Sequence, residues 1–473
     1  MKNDSRDIWQ YVDAKQEPLI ALSDRVWATP ELCYSETRSA AEHAAELERQ
    51  GFRITRNVAG IPTAMIGEAG EDGPVIAILG EYDALPGLSQ EAGIAEPRPL
   101  ENGGNGHGCG HNLLGAGAML AAVAVKDWLA KNGLKGRVRY YGCPAEEGGA
   151  AKTFMVREGA FDDVDAAISW HPASFCEVMP AVSLANTRID FTFHGRASHA
   201  AASPHLGRSA LDAVELMNVG VNYMREHMPS DARIHYALLE TGGIAPNVVQ
   251  ARAKVRYSVR ARDLAGMQEL VERVKKVAQG AALMTETRVE PQIISAVSNL
   301  LANDPLELAM NDVLQQLGPP PFDGADRKFA KQIQDTLTDI DIDSVYRTVG
   351  QPRSDAPLCD KIIPLDAPRN LMRGSTDVGD VSWAVPTVQA HGAMMAIGTP
   401  LHSWQVVAQG KMPAAHKGMV HVAKVMAATA CKLLTDEALR DAAKADHAAR
   451  TARHPYRCPI PADVAPPLDM ARV

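Results

Sequence analysis

The sequence lacks the features that mark nucleic-acid-binding and disulfide-rich proteins. Its 473 residues carry a net charge of −9 and contain no block rich in Lys and Arg. The basic surface that nucleic-acid binding requires is therefore absent, and a polyanionic partner is excluded. The 7 cysteines are odd in number and irregularly spaced, so they do not form a disulfide framework. Their thiols are predicted to be reduced and available as ligands.

Long apolar segments are also scarce. Residues 1–7 contain no apolar segment of the kind found in a secretory signal. The longest apolar run, 113–125, is shorter than the roughly 20 residues that a membrane-spanning helix needs. We therefore expect a soluble, cytoplasmic protein without a membrane partner.

The first third of the chain alternates helical and strand-like patterns. Residues 7–51 have helical spacing that Pro30 interrupts, and 74–80 is a continuous apolar run that suits a strand buried on both faces. A long apolar helix is predicted over 113–129 and a strand over 136–142. This order predicts an α/β fold with helices on both faces of a sheet.

The pattern changes near residue 185. Residues 184–194 and 251–262 alternate apolar and polar side chains, as strands with one solvated face do. They flank a predicted helix over 209–227, and another helix is predicted over 264–280. These four elements indicate a small α+β domain inserted into the first one.

The length of the chain exceeds the usual size of a single domain, which agrees with this division. We predict a catalytic domain in two parts, 1–184 and 300–473, with an inserted domain over 185–299. Within the second part, strands are expected at Ile362 and over 390–397, and a long helix over 415–434. The tail after Asp446 is rich in Pro and Arg and is expected to be only partly ordered.

Metal-ligand residues recur after the apolar runs. Cys109 and His111 lie two residues apart in a glycine-rich turn, and Glu147, His171 and His402 follow at greater distance. Imidazole, thiolate and carboxylate together are ligands of zinc or manganese, and five side chains suffice for two ions that share one bridging group. The alternative is a small buried cysteine beside histidines that bind backbone groups.

Two further acidic positions suggest catalysis. Adjacent side chains point in opposite directions in an extended segment, so Glu147 can bind metal while Glu146 faces the substrate and transfers protons. The alternative is a solvated acidic pair at a helix start. Asp83 follows the 74–80 strand and is a candidate for orienting a ligand histidine. The alternative for Asp83 is a turn residue that caps its own backbone.

Together these motifs resemble the aminoacylase and carboxypeptidase family of co-catalytic metallohydrolases. Within that family the chain is most similar to the branch that contains indole-3-acetyl-amino-acid amidohydrolases and p-aminobenzoyl-glutamate hydrolase subunits. The resemblance extends over nearly the whole chain and rests on residues 30–32, 81–86, 108–112, 144–149, 171, 195–199, 246–247 and 401–402.

The resemblance implies a mixed-sheet, di-metal exopeptidase-like catalytic domain whose inserted α+β domain is a lid and dimerisation domain. It implies two divalent ions, Mn or Zn, with Glu146 as general acid and base. It further implies that His199 stabilises the oxyanion, in many members across a dimer interface, and that Asn247 and Arg260 contact the substrate carboxylate. The implied metal ligands are Cys109, His111, Glu147, His171 and His402.

The chain departs from the amidohydrolase pattern at Asn112 and Leu114, where that branch usually carries Asp and His. The p-aminobenzoyl-glutamate group shares this departure, which weakens any transfer of substrate preference from the plant-hormone enzymes. The metal and base residues, with Arg260 and Asn247, predict an N-acyl or N-aroyl amino acid ending in glutamate or aspartate as the substrate. Dipeptidase or general aminoacylase activity is the alternative. The chain is expected to form a homodimer, or to work with a related partner chain. The roles of His107 and His416 stay open.

Overall fold

The computed structural model describes residues 6–369 and 374–472. Within these residues the strands form a seven-stranded and a four-stranded sheet. The strands are β1 (Arg53–Arg56), β2 (Met65–Glu71), β3 (Val75–Glu81), β4 (Gly136–Cys143), β5 (Ala166–Ala173), β6 (Glu177–Val178), β7 (Ala185–His194), β8 (Arg233–Glu240), β9 (Arg252–Ala261), β10 (Arg288–Val297) and β11 (Thr387–Ala393).

The helices pack on both faces of the seven-stranded sheet and on one face of the four-stranded sheet. They are α1 (Arg6–Trp27), α2 (Thr37–Arg49), α3 (His111–Asn132), α4 (Ala151–Arg157), α5 (Ala210–Met224), α6 (Leu264–Met284), α7 (Asp304–Leu317), α8 (Gly324–Gln334), α9 (Asp339–Thr348), α10 (Val378–Ala384), α11 (Trp404–Gln409), α12 (Pro413–Thr435) and α13 (Glu437–Thr451).

The seven-stranded sheet is mixed, with the order β1-β2-β4-β3-β5-β11-β6. Its centre is parallel, because β3 pairs in parallel with β4 and β5, and β11 pairs in parallel with β5. Every residue of β3 is buried, as its continuous apolar sequence predicts. The predicted mixed α/β architecture is confirmed.

Helix α3 is the central helix of this part of the molecule. It contacts α1, α12 and β3, and most of its residues are buried. With 22 residues it is long and apolar enough to cross a membrane by length and composition alone. The apolar run 113–125 is only part of this helix, and burial in the core accounts for its apolar composition.

The four-stranded sheet has the order β10-β7-β9-β8 and is antiparallel throughout. Helices α5 and α6 pack on one face, where they form a separate apolar core. Side-chain caps begin both helices, since Ser209 accepts from the Asp212 amide and Asp263 accepts from the Gly266 amide. All four strands lie within the segment 185–299.

Two local expectations, the strand at Ile362 and the partly ordered tail after Asp446, differ from the structure. Ile362 forms an isolated bridge with Cys176 instead of a strand. Helix α13 continues past Asp446 to Thr451. The segment that follows has specific contacts, because Arg157 donates to two of its backbone carbonyls at 2.8 and 2.9 Å. These contacts attach the tail to α4.

Candidate metal centre

Ligand-type side chains collect at one edge of the seven-stranded sheet. Asp83 follows the end of β3, Glu146 and Glu147 follow β4, and His171 lies near the end of β5. Because β3 runs parallel to β4 and β5, the carboxyl ends of the three strands share this edge. The sheet therefore gathers side chains that are far apart in sequence.

The glycine-rich turn before α3 supplies two more side chains. Gly110 has a φ of 78°, which glycine adopts without strain, and His111 then begins α3. The backbone N–H of His402 donates to the Gly108 carbonyl at 2.8 Å. This hydrogen bond brings His402 to the turn that carries Cys109.

Cys109 is common to two groups of ligand atoms. Its Sγ is 3.4 Å from Nε2 of His171, and with His111 these residues form the first ligand group, whose atoms lie within 4.8 Å of one another. The second ligand group, within the same distance, contains Cys109, Glu147 and His402. The structure thus brings together all five residues predicted as ligands.

Asp83 fixes the orientation of His111. Nδ1 of His111 donates to one Asp83 oxygen at 2.8 Å, and the backbone N–H of Glu147 donates to the other at 2.9 Å. Although burial favours the protonated acid, His111 and these hydrogen bonds hold the pKa of Asp83 below its ordinary value. With its Nδ1 protonated, His111 keeps Nε2 as the ligand atom. These contacts differ from those of a turn aspartate that caps its own backbone.

The donor atoms fit a divalent metal ion. In the described part of the chain, Nε2 of His111 and Oε1 of Glu147 are buried without a hydrogen-bond partner. Nδ1 of His171 donates to the Pro172 carbonyl at 2.9 Å, which leaves Nε2 free of a proton. Burial, followed by the charge of His111, lowers the pKa of His171 to about 4. A neutral imidazole, a carboxylate and a thiol that would lose its proton on binding are therefore present together, a donor set that suits zinc or manganese.

Glu146 and Glu147 contact different neighbours. Glu147 belongs to the second ligand group, whereas Glu146 forms a further cluster with Glu81 and His111. The two residues lie in a turn and not in an extended segment, so the predicted divergence arises from turn geometry. Burial, followed by the charges of Glu81 and Glu147, raises the pKa of Glu146 well above its ordinary value. A solvated acidic pair does not have these properties.

Backbone strain is concentrated around the same residues. Ala145, Ala150 and His402 have φ of 56°, 57° and 59°, in the left-handed region that non-glycine residues seldom adopt. Each non-glycine residue in this conformation lowers the folding free energy gain by roughly 1–3 kcal/mol, so the conformation is kept only where surrounding contacts hold it. One such contact is the hydrogen bond from the Ala145 N–H to Glu36, at 2.9 Å. This contact helps to hold the loop that carries Glu146 in its strained conformation.

A buried charge cluster beside the ligand groups was missed by sequence reasoning. Nζ of Lys152 is 2.6 Å from Glu81 and 2.7 Å from Asp377, and none of the three side chains is more than 3% exposed. The other Glu81 oxygen is 3.3 Å from Nε2 of His111. Glu81 ends the apolar strand β3, so the reasoning that selected Asp83 also selects Glu81. Lys152 and Asp377 carry no comparable sequence signal.

Besides Asp83 and Glu146, three predicted site residues lie outside the two ligand groups. His199 is exposed, and its Nδ1 accepts hydrogen bonds from the Ala201 and Ala202 amides at 3.2 and 3.1 Å. Asn247 is also exposed, close to His199 in space, because a bridge joins His199 to the next residue, Val248.

Arg260 lies on β9, where it is half-buried. Its guanidinium lies 3.5 Å from the hydroxyl groups of Ser258 and Ser375. Ser375 belongs to the chain segment that leads to Asp377, so Arg260 lies between the four-stranded sheet and the segment that precedes α10.

The two histidines of open role have structural contacts. His107 is buried and donates from Nε2 to the Val26 carbonyl at 3.1 Å, and burial lowers its pKa to about 4. Nε2 of His416 is 2.9 Å from Asp24, which links α12 to α1. Neither histidine belongs to the ligand groups.

Comparison with known sequences gives a consistent assignment. The sequence profile of Peptidase family M20/M25/M40 matches residues 77–361, more than half of the chain. A p-aminobenzoyl-glutamate hydrolase subunit of Escherichia coli (strain K12) is 48% identical over 98% of this chain and 99% of that protein. The Xaa-Arg dipeptidase of Mus musculus is 28% identical over 90% of this chain and 88% of that protein.

Comparison with solved structures shows that the fold is that of M20-family peptidases. The Bacillus subtilis YXEP protein, a dinuclear metal binding peptidase from the M20 family, matches with a TM-score of 0.54 and 18% sequence identity over 88% of this chain and 98% of that one. The predicted resemblance and the predicted class of enzyme, a metallo-amidohydrolase, are confirmed by the family match and the near full-length relative. The chain belongs to peptidase family M20/M25/M40.

Proposed function

We propose that the protein hydrolyses the amide bond of N-acyl or N-aroyl amino acids, with p-aminobenzoyl-glutamate and similar compounds as substrates. The observation that carries this proposal is the pair of ligand groups joined by Cys109, with the Glu146 carboxyl beside them. The name of the Escherichia coli relative supports the substrate class. Two divalent ions, Mn or Zn, are the proposed cofactors, held by Cys109, His111, Glu147, His171 and His402.

The roles of the side chains follow from their surroundings. Bound divalent ions supply a Lewis acid that polarises the substrate carbonyl and lowers the pKa of water. Glu146 is the proton carrier: it takes the proton of the attacking water and returns it to the leaving nitrogen. A carboxyl whose pKa is raised by burial suits both steps, because its carboxylate is a stronger proton acceptor than that of a solvated glutamate and it can hold the proton until the nitrogen leaves.

The experiment that tests the substrate class measures the amino acid released from a panel of compounds. The panel contains p-aminobenzoyl-glutamate, indole-acetyl-aspartate and simple dipeptides, each incubated with Mn²⁺-loaded protein. Release from the acyl or aroyl amino acids, lost on chelation and restored by Mn²⁺ or Zn²⁺, is expected. Activity that survives exhaustive chelation contradicts the proposal.

A dipeptidase is the second candidate. The observation in its favour is the 28% identity to the Xaa-Arg dipeptidase, which extends over 90% of this chain. Release from dipeptides alone in the same panel selects this candidate.

Asp83 is proposed to act on the metal through His111. We expect Asp83→Asn to weaken metal binding by about 10- to 100-fold, because the amide is a poorer partner for the His111 N–H and no longer fixes the tautomer. Metal titration of the apo protein, followed by calorimetry, measures this change. An unchanged affinity, with the fold intact by circular dichroism, rules out this role.

We propose a dimer formed through the four-stranded sheet. Strand β8 is at the sheet edge and exposes Tyr236, Leu238 and Leu239, and α5 exposes Val219 and Tyr223. An open strand edge beside apolar side chains is a pairing surface, and two copies satisfy it by symmetric antiparallel pairing. A second copy is therefore the proposed occupant. Because the Escherichia coli relative is named as one subunit of a hydrolase, a related chain is the alternative.

His199 is proposed to stabilise the oxyanion across this dimer. Its Nδ1 accepts two backbone hydrogen bonds, so Nε2 carries the proton and is an exposed donor. Within the described part of the chain, His199 forms no hydrogen bond or ion pair with the ligand residues. A second copy is therefore the simplest source of the donor. Asn247, beside His199, and Arg260 are proposed to bind the substrate carboxylate.

We expect His199→Ala to lower kcat by about 10²- to 10³-fold, because one oxyanion donor is lost. Mixing His199→Ala with Glu146→Gln protein distinguishes the origin of the donor. If His199 acts across the dimer, mixed dimers regain activity, since one site then has both residues. If activity stays at the level of the separate variants although the protomers exchange, His199 acts within its own chain or not at all.

We also place the enzyme in the cytoplasm. All 7 cysteines are free, and most are buried. A reduced Cys109 is needed as a ligand, and a reducing compartment maintains it.

A further inference from the structure

The four-stranded sheet turns a polar face toward the candidate metal centre. Its other face packs against α5 and α6 through residues such as Ile189 and Val259. The polar face carries Arg188, which donates to the Glu147 carbonyl, and Ser295, which donates to the Gly148 carbonyl at 2.9 Å. This face of the sheet therefore lies directly against the loop that carries Glu146 and Glu147.

Arg188 is largely buried without a carboxylate partner. Within the described part of the chain, the one hydrogen bond of its guanidinium goes from Nη2 to the Glu147 carbonyl at 3.0 Å. A guanidinium has five N–H groups, so most of its donor capacity stays available. A Cβ atom at Gly148 would lie 2.3 Å from Nη1 of Arg188, so glycine there leaves room for the guanidinium.

Arg260 is a second arginine without an acidic partner among the described residues. Arg188 pairs with Ser258 and Asn186 pairs with Arg260 across β7 and β9, so the two arginines are diagonal neighbours on one face. Burial lowers the pKa of both, and the charge of Arg188 lowers that of Arg260 further. The charges of Glu146 and Glu147 act on Arg188 from the neighbouring loop, but among the described residues neither arginine is paired with a carboxylate.

Arg256 shows the ordinary arrangement on the same face. Its guanidinium binds Asp190 through two hydrogen bonds, at 2.7 and 3.1 Å, and Lys254 binds the same carboxylate at 2.7 Å. The cations near Asp190 are therefore neutralised within the protein. Arg188 has no such carboxylate partner among the described residues, so its guanidinium is available to bind an external anion.

We propose that Arg188 and Arg260 form a subsite for the two carboxylates of a dicarboxylic amino acid, and that Arg188 determines the preference for glutamate or aspartate over neutral residues. This inference rests on the proposed amidohydrolase function. A planar guanidinium binds both oxygens of a carboxylate at once. Two such groups on adjacent strands suit a ligand with two carboxylates, and the carbonyl of Glu147 beside Arg188 puts this ligand next to the metal centre.

The test compares Arg188→Gln with wild-type protein on p-aminobenzoyl-glutamate and on p-aminobenzoyl-glutamine, which differ only in the side-chain charge. Wild-type protein is expected to favour the glutamate compound. In Arg188→Gln we expect the ratio of the two kcat/KM values to fall by about tenfold or more, mainly through KM for the glutamate compound, since a site built for a polar group discriminates strongly against its analogue. Arg188→Lys keeps the charge but cannot bind both carboxylate oxygens in the plane of one group. Its ratio of kcat/KM values should lie between those of wild-type protein and Arg188→Gln.

Arg256→Gln is the matched control, because Lys254 still neutralises Asp190 and the ratio should not change. An equal loss on both compounds in Arg188→Gln overturns the inference, since Arg188 then only holds the Glu147 loop. Binding of free glutamate and glutamine to Glu146→Gln protein separates this result from failure of the proposed function. If neither compound is hydrolysed by wild-type protein, tighter binding of glutamate that depends on Arg188 still supports the subsite, and equal binding refutes it.

Discussion

Replacing Glu146 with Gln is expected to lower kcat by about 10²- to 10⁴-fold while metal content and fold are retained. The magnitude is that of a general acid and base held at the reacting atoms. The amide has nearly the same shape as the carboxyl but cannot take a proton from water or return one to the leaving nitrogen. Since Glu146 lies outside both ligand groups, its loss leaves all five proposed ligands in place.

Glu147→Gln is the matched comparison, because it makes the same chemical change one residue further along. That variant should lose metal as well as activity, since Glu147 contributes to the second ligand group. Steady-state kinetics and metal analysis of both purified proteins measure the difference. Near wild-type kcat in Glu146→Gln would show that another group carries the proton.

Much of the fold follows from sequence patterns whose physical cause is burial. The apolar run of β3 and the long apolar helix α3 form the centre of the molecule, as their composition predicts. Strand β8 escaped prediction because it is an edge strand with mostly exposed side chains, so no alternation is imposed on it. Strand β10 also lies at an edge and contains Pro291, a residue that argues against a central strand.

Some residues of the candidate site can be predicted from the sequence and others cannot. Residues at strand ends, such as Asp83 and Glu147, can be found because consecutive apolar runs lead to one sheet edge. The residue type of His402 makes it a candidate ligand, but nothing local in the sequence predicts the hydrogen bond that brings it to Gly108. Arg188 occupies a strand position that is usually solvated, and only the packing of the four-stranded sheet against the loop after β4 reveals its surroundings.

Breaking the buried ion cluster around Lys152 is expected to reduce the stability of the protein strongly. Lys152→Met is expected to destabilise the protein by about 3–5 kcal/mol, the usual cost of removing one partner from a buried ion pair. The side chain of Lys152 is fully buried, and its ammonium lies between Glu81 and Asp377. Without it, two carboxylates stay buried beside each other with no cation between them.

The cluster also joins distant parts of the chain. Glu81 ends β3, Lys152 lies in α4, and Asp377 precedes α10, while the backbone N–H of Lys152 donates to Asp377 at 2.9 Å. Breaking the ion pairs therefore loosens the attachment of the second half of the catalytic fold to the first. We expect the midpoint of denaturant unfolding to fall, together with activity, since Glu81 is beside His111.

Lys135→Met is the appropriate control, because the Lys135 pair with Asp72 is exposed, with 78% and 72% of the two side chains accessible. Such pairs contribute little, so its unfolding midpoint should match that of wild-type protein. Lys152→Arg keeps the charge but adds volume to a closed site. Its unfolding midpoint should lie between those of wild-type protein and Lys152→Met. If Lys152→Met unfolds at the wild-type midpoint, Glu81 and Asp377 are neutral in the folded protein, and the cluster is held by hydrogen bonds alone.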